Sequence, residues 1–87
     1  MSPMPLNQSP GLLPLCQLTK GCVGMVRELG GTQSINLRLR ELGFSESARV
    51  TKISGHSTVI CDICGTRLAL SHDLARTILV QPVGAAG

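Results

Sequence analysis

The chain has 87 residues, of which 43% are hydrophobic and 15% are charged. This length accommodates one small domain, and the composition is typical of a globular chain rather than a disordered one. No apolar run approaches the roughly 18 residues that a membrane-spanning helix requires, so direct membrane insertion is not expected. The N-terminus has no basic region and prolines interrupt its apolar stretch, unlike a signal peptide. We therefore expect a cytoplasmic protein, in which the four cysteines are reduced thiols or metal ligands.

The net charge of +3 is spread along the sequence. The basic residues form no Lys/Arg run, and the single aromatic residue, Phe44, leaves no rings on which bases could stack. We therefore expect no nucleic-acid partner. The carboxylates form no pair suited to acid–base catalysis. Ser71, His72 and Asp73 stand side by side, whereas a catalytic triad assembles from separated segments. The sequence therefore predicts a protein that is not an enzyme and has no catalytic residues.

The first part of the chain divides into a lead-in, a helical turn and a strand. Residues 1–14 carry four of the five prolines, which predicts a flexible, Pro-rich N-terminal tail. Residues 15–21 predict one helical turn closed by glycine, with two leucines that plug one end of a barrel. Residues 22–29 predict a strand, in which Gly24 marks a bend or a close approach of another backbone.

A short helix is predicted after this strand. Its apolar side chains recur at helical spacing, at Ile35, Leu39 and Leu42. Thr32 or Ser34 can supply the N-cap. Gly43 fits the position just past the helix, where a left-handed backbone is needed, and Phe44 is then delivered into the core.

The second half of the chain is strand-like. The predicted strands cover residues 48–54, 57–63, 67–70 and 78–80. Val50 and Ile53 break strict alternation, so a β-bulge or a strong twist is expected there. Ser71 is predicted to cap one helical turn before the last strand, and the C-terminal residues 83–87 are expected to fray. Five short strands joined by tight turns predict a mainly β fold in the form of a small, strongly bent barrel.

The order of these features resembles the bacterial ferrous iron transport protein A (FeoA) family over residues 15–81. Its most specific parts are the Leu-Gly-Phe step at residues 42–44, ahead of Val50, and the Gly-x-x-Leu-Ala-Leu segment at residues 65–70. The expected structural positions of this pattern are Leu39, Leu42, Gly43, Phe44, Gly65, Leu68 and Leu70. The resemblance implies a FeoA-like domain over residues 15–82.

The fold implied by this resemblance is an SH3-like five-stranded barrel with a short helix inserted after the first strand. The implied function is that of a non-enzymatic cytoplasmic accessory protein of ferrous iron uptake. Its implied partner is the cytosolic domain of FeoB, the GTP-coupled membrane transporter of ferrous iron. We expect the outer face of the helix to make the contact, through Arg38, Arg40 and Glu41.

The chain departs from the family pattern at three places, one of which is the segment at residues 61–64, Cys-Asp-Ile-Cys. Glu46-Ser47 stands where the family usually has Pro-Gly, and serine is poorer than glycine at positive φ, so a rearranged or strained turn is expected. Lys52 stands at one of the usually apolar positions of the strand that contains Val50.

The Cys61-x-x-Cys64 spacing supports an alternative, a metal-sensing or metal-handling module. With His56 or His72, these two cysteines could hold a divalent ion such as zinc or ferrous iron. On a regular strand, however, residues three apart face opposite sides, which would leave Cys61 as a buried small hydrophobe and Cys64 outside. If the cysteines are arranged in this way on a strand, no cofactor is expected. A third hypothesis is a detached repressor-type domain that regulates a separate DNA-binding protein.

Overall fold

The computed structural model describes residues 11–55 and 57–85. These residues form six strands and two helices, with a single 3-10 turn at Leu15–Gln17. In chain order the elements are β1 (Leu13–Pro14), β2 (Cys22–Leu29), α1 (Gln33–Glu41), β3 (Arg49–Gly55), β4 (Thr58–Ile63), β5 (Thr66–Ser71), α2 (His72–Arg76) and β6 (Ile78–Ala85).

All six strands belong to one antiparallel sheet in the order β1-β6-β2-β3-β4-β5. Since β1 and β5 are its two edges, the sheet among the described residues is not closed into the five-stranded barrel that the sequence predicts. The additional strand is β1, in which Leu13 pairs with Val80 and Pro14 with Leu79. Proline is compatible with an edge strand, because only one side of such a strand needs amide donors. The helix α1 therefore follows the second strand and not the first.

Both predicted tails overlap strands of the sheet. Leu13 and Pro14, which the sequence places in the Pro-rich lead-in, form β1, while residues 1–10 lie outside the described part of the chain. Strand β6 extends to Ala85, which pairs with Cys22, although the sequence predicts fraying from residue 83. Residues 86 and 87 lie outside the described part of the chain.

The core contains thirteen buried hydrophobic residues that come from every part of the described chain. Phe44 is fully buried, as the sequence predicts, and is the largest of these side chains. Leu15 and Leu18 of the 3-10 turn are also buried, at 0% and 3% exposure. On the hairpin side the core continues through Val59, Cys61, Ile63 and Leu70, with Leu68 packed half-buried against it.

Helix α1 begins at a side-chain cap and is fastened to the end of β2. The Thr32 hydroxyl accepts a hydrogen bond from the Ile35 amide at 3.3 Å, which confirms one of the two predicted caps. The Asn36 side chain bridges to the strand end, because its Nδ2 donates to the Leu29 carbonyl and its Oδ1 accepts from the Gly31 amide, each at 3.1 Å. These bonds fix the direction in which the helix leaves the sheet.

Helix α1 ends in a Schellman motif. The Gly43 amide donates to the Arg40 carbonyl and the Phe44 amide donates to the Leu39 carbonyl, each at 3.0 Å. Gly43 has φ +113°, as the sequence predicts for a residue just past the helix. Leu42 is 42% exposed and does not fill the core as expected. It is the last residue before the reversal, and Phe44 takes the inner position in its place.

The strand interiors show the two irregularities that the sequence indicates. The β2–β6 pairing shifts register at Gly24, where an added Cβ would lie 2.9 Å from Val80 Cγ2, so this close approach requires glycine. The β3–β4 pairing shifts register between Lys52 and Ser54, which confirms the predicted bulge. Neither of the two helices in the described ranges is long and apolar enough to cross a membrane.

Candidate functional site

The outward side of α1 carries an apolar side chain surrounded by charges. Leu37 is 58% exposed, more than any other large hydrophobic residue of the described chain. Arg38, Arg40 and Glu41, which the sequence predicts as contact residues, are all exposed on the same helix. At 100° per residue, Leu37 lies between Arg40 on one side and Glu41 on the other. We define the α1 face by these four residues, Leu37, Arg38, Arg40 and Glu41.

Two surface depressions adjoin the α1 face, and Arg40 lines both. The first, of about 390 Å³, lies along the helix itself and is lined by Gln33, Ser34, Leu37 and Arg40. The second, of about 300 Å³, lies between the helix and the sheet and is lined by Val26, Arg27, Glu28, Leu29, Arg40 and Glu46. Leu37 therefore borders the first depression, and Arg40 lies between the two. Shallow grooves beside an exposed leucine form a surface into which a partner's side chains can pack.

The electrostatics of the α1 face are mixed, with a positive excess. Arg38 and Arg40 belong to the last turn of the helix, where cations interact favourably with the partial negative charge of the helix end. Glu41 supplies the one negative charge of the face. Arginine at the rim of an apolar contact binds carboxylates with two parallel hydrogen bonds. The α1 face can therefore receive an apolar side chain flanked by acidic residues.

Leu37 is the functional candidate that the periodicity argument does not single out. Counting apolar positions identifies Ile35, Leu39 and Leu42 as the inner stripe and leaves Leu37 unassigned. A leucine two positions from Leu39 must point to the opposite side of a helix, and this is the signal that could have found it. Exposed leucines occur singly on many proteins, so the charged surroundings of Leu37 are what make it a candidate.

The two cysteines of the Cys-x-x-Cys segment occupy opposite environments. Cys61 is fully buried on the inner face of β4 between Val59 and Ile63, as the strand interpretation predicts. Burial, and secondarily the charge of Asp62, raises the pKa of the Cys61 thiol to about 11. Cys64 is exposed in the β4–β5 turn with φ +51°, next to Gly65 at φ +79°. A buried protonated thiol is a poor metal ligand, because the thiolate is the form that binds.

Of the two predicted histidine ligands, only His72 lies among the described residues, and it does not lie near Cys64. The His72 amide donates to the Ser57 carbonyl, so His72 begins α2 at one end of β4, whereas Cys64 follows the other end. Six strand residues at about 3.4 Å each separate these ends by roughly 20 Å. No three His, Cys, Asp or Glu side chains among the described residues are grouped to hold a metal ion. His56 lies outside the described residues.

The Ser71-His72-Asp73 segment is a helix cap, as the sequence predicts. The Ser71 hydroxyl accepts a hydrogen bond from the Leu74 amide at 3.2 Å, and Asp73 lies in the first turn of α2. A carboxylate there is stabilised by the positive end of the helix dipole. The side chains of Ser71 and Asp73 therefore stabilise the start of α2.

Several solved structures share this fold. An iron uptake regulatory protein (FeoA) is 22% identical, with a TM-score of 0.77 over 83% of this chain and 97% of that one. The FeoA protein of Stenotrophomonas maltophilia, described as a procaryotic SH3 domain protein and solved in complex with zinc, is 27% identical, with a TM-score of 0.65 over 77% and 87% of the two chains. A manganese-dependent transcriptional repressor is 16% identical, with a TM-score of 0.78, but only 44% of its chain is covered against 87% of this one.

These similarities define the class of protein as a small domain of SH3-like fold. The family follows from the sequence itself. The FeoA domain matches residues 13–82, which include β1 and all but the last residues of β6. The chain therefore belongs to the FeoA family, which is associated with ferrous iron transport. No curated protein is detectably similar to this chain.

Proposed function

We propose that this protein is a non-enzymatic, cytoplasmic accessory protein of ferrous iron uptake that acts by direct contact with the cytosolic domain of FeoB. Membership of the FeoA family supports the link to iron transport. The related S. maltophilia protein is itself described as a candidate activating factor of ferrous iron transport. The observation that carries the proposed mode of action is the exposure of Leu37 at the centre of the α1 face.

The energetic argument rests on desolvation. A leucine that is 58% exposed still has most of its apolar surface in water, and its burial in a partner's pocket supplies about 1–2 kcal/mol. The arginines beside it add specificity, because rim charges select partners of complementary potential. Acidic side chains around an apolar pocket on the transporter's GTP-binding domain are the complement that this face requires.

The test is a titration of the isolated cytosolic domain of the cognate FeoB with this protein, followed by calorimetry. We expect Leu37→Ala to weaken binding by about tenfold, in line with the loss of one buried apolar anchor. Alanine is the best helix former, so this variant keeps α1 intact. Leu12→Ala is the matched control, because Leu12 is 47% exposed but lines neither depression beside the α1 face. We expect it to bind like the parent protein.

A second pair of variants tests the charges of the α1 face. The test variant combines Arg38→Glu with Arg40→Glu, and the control variant combines Arg49→Glu with Arg76→Glu. The two double variants have the same net charge, and all four arginines are exposed. We expect only the first pair to weaken binding and to lower iron uptake in cells. Equal effects of the two pairs, or undiminished binding by Leu37→Ala, would contradict the assignment of this surface.

A further inference from the structure

An open cavity of about 380 Å³ lies where the β3–β4 hairpin meets the turn that precedes β2. Its lining consists of Lys20, Lys52, Ser54, Gly55, Ser57 and Thr58. This Lys52 cavity is separate from the α1 face, with which it shares no lining residue. Two ammonium groups and three hydroxyl groups belong to its described lining, and none of these lining residues is acidic.

Lys52 is the central group of this cavity. It is only 7% exposed and is the one buried charged residue of the described chain. Its Nζ donates to the Cys16 carbonyl oxygen at 2.6 Å. An ammonium group has three donors, and the only ion pair among the described residues joins Arg67 to Asp62, away from Lys52. This one described acceptor leaves two of the three ammonium donors available to water or to an anion in the cavity.

The local backbone brings the second lysine to the same place. The Gly21 amide donates to the Lys52 carbonyl at 2.7 Å, which ties the turn containing Lys20 to β3. Gly21 has φ +84°, the left-handed conformation that allows this tight reversal. The bulge between Lys52 and Ser54 lies in the part of β3 that lines the cavity, and bulges occur frequently beside active sites.

We propose that the Lys52 cavity binds a small anionic molecule through a phosphate group. Lysine binds phosphate as a point charge, and charge-assisted hydrogen bonds are about twice as strong as neutral ones. A phosphate group offers three or more acceptor oxygens to the two ammonium and three hydroxyl groups, which a two-oxygen carboxylate cannot match. The cavity also exceeds the roughly 30 Å³ of one water many times, so it has room for the body of a small phosphomonoester. Phe44 is buried, so the described lining of the cavity has no aromatic platform for a nucleobase.

The experiment is a backbone-amide NMR titration of the full chain with inorganic phosphate and with glycerol phosphate. Sodium chloride and sodium acetate at matched ionic strength are the comparison salts. We expect saturable shifts for residues 20–21, 52–55 and 57–58 with the phosphate compounds and only small, non-saturating shifts with chloride or acetate. Saturation by inorganic phosphate alone supports the phosphate group as the whole ligand. Tighter binding of glycerol phosphate supports a phosphomonoester.

Matched variants assign the binding to the two lysines. Lys52→Met keeps the apolar stem and removes the charge, and we expect it to weaken phosphate binding at least about tenfold. Lys20→Met should weaken binding several-fold. Arg49→Met removes the same charge from an exposed position on the same strand and should leave the affinity unchanged.

Three results would overturn the proposal. They are the absence of saturable shifts in the parent protein, equal binding of acetate, and unchanged phosphate binding by a folded Lys52→Met variant. Should Lys52→Met fail to fold, Lys20→Met decides, because its exposed side chain is not needed for folding. Unchanged affinity in that variant would likewise overturn the proposal.

Discussion

Two chain reversals of this protein each place one glycine and one other residue at positive φ. In the reversal after α1, the pair is Gly43 at φ +113° and Ser47 at φ +73°. In the β4–β5 turn, it is Gly65 at φ +79° and Cys64 at φ +51°. The first reversal is anchored in the core by Phe44, whereas the second is exposed at the tip of a hairpin.

The difference shows where a fold can tolerate an unsuitable residue. Ser47 is held from both sides, because its amide donates to the Val26 carbonyl at 2.7 Å and the Ala48 amide donates to the Ser45 carbonyl at 3.0 Å. These bonds close a β-turn whose third residue needs positive φ, the position where glycine is preferred. Serine therefore keeps the glycine conformation and stores strain, which is one of the two outcomes, a rearranged or a strained turn, that the sequence predicts here. Around Cys64 the turn is closed by the pairing of Ile63 with Thr66, and the Cys64 Sγ makes a weak contact with the Gly43 carbonyl at 4.0 Å.

The largest expected effect comes from removing the anchor of the first reversal. Phe44→Ala should lower the free energy of unfolding by about 4 kcal/mol, because it leaves a cavity in place of a fully buried ring. In a small domain of limited stability this approaches global unfolding. Urea denaturation monitored by circular dichroism measures the change. Phe44→Leu, which retains most of the apolar volume, serves as the milder control, and equal losses in both variants would contradict the anchoring role.

Cys61, in the strand that leads into the second turn, should make the stability of the protein depend on pH. The pKa of Cys61 rises from 9.0 to about 11 on folding, chiefly through burial, so the unfolded state releases this proton first. The contribution of this thiol to the free energy of unfolding should therefore be fully present below pH 9. It should fall by about 2–3 kcal/mol as the pH rises from 9 to 11. Denaturation at a series of pH values measures the slope. Cys61→Ala, which removes the thiol, should abolish this part of the slope, and an unchanged slope would exclude Cys61 as its source.

The glycine of the first reversal should matter less than its anchor. Gly43→Ala should destabilise the protein by about 2 kcal/mol, because an L-residue is strained at φ +113°. The added Cβ would also lie 3.4 Å from Cys64 Sγ, where the two reversals come together. The double variant with Cys64→Ala separates these causes. If the double variant recovers less than half of the stability lost in Gly43→Ala, most of that loss comes from backbone strain. Full recovery of the stability would refute the strain argument.

The smallest expected effects are stabilising. Ser47→Gly should raise the free energy of unfolding by about 1 kcal/mol, because the conformation stays and the strain is released. Cys64→Asn should raise it by about 0.5 kcal/mol, since asparagine tolerates left-handed conformations better than cysteine and suits a two-residue hairpin turn. Thermal unfolding of both variants compares the two reversals directly. A larger gain at Cys64 than at Ser47 would reverse our account of which turn stores more strain.

The local geometry of the fold could be predicted from the sequence where one residue type has few alternatives. Gly43 and Phe44 are positioned by a helix end that only glycine suits, and the strain at Ser47 follows from the same rule. The inward orientation of Cys61 follows from strand alternation. These predictions rest on interactions within a few residues, and the structure confirms them.

The remaining features depend on contacts distant in sequence. Strand β1 exists because Leu13 and Pro14 meet β6, more than sixty residues later, and nothing local distinguishes them from a lead-in. The sequence marks Lys52 as out of pattern, but the acceptor of its ammonium group is the carbonyl of Cys16 in another element. For the candidate site, the sequence indicates the charges of the α1 face. It does not indicate that Leu37 would remain uncovered, because that depends on which side of α1 the sheet occupies.

The amide of Asn36 restricts rotation of α1 about its own axis. Its two bonds run to opposite kinds of backbone group at the end of β2, a carbonyl and an N–H, so rolling the helix in either direction breaks at least one of them. These bonds therefore fix the orientation of Leu37, the next residue, in the unbound protein. A surface that is already oriented loses little conformational entropy on association, which leaves more of its contact energy available as affinity.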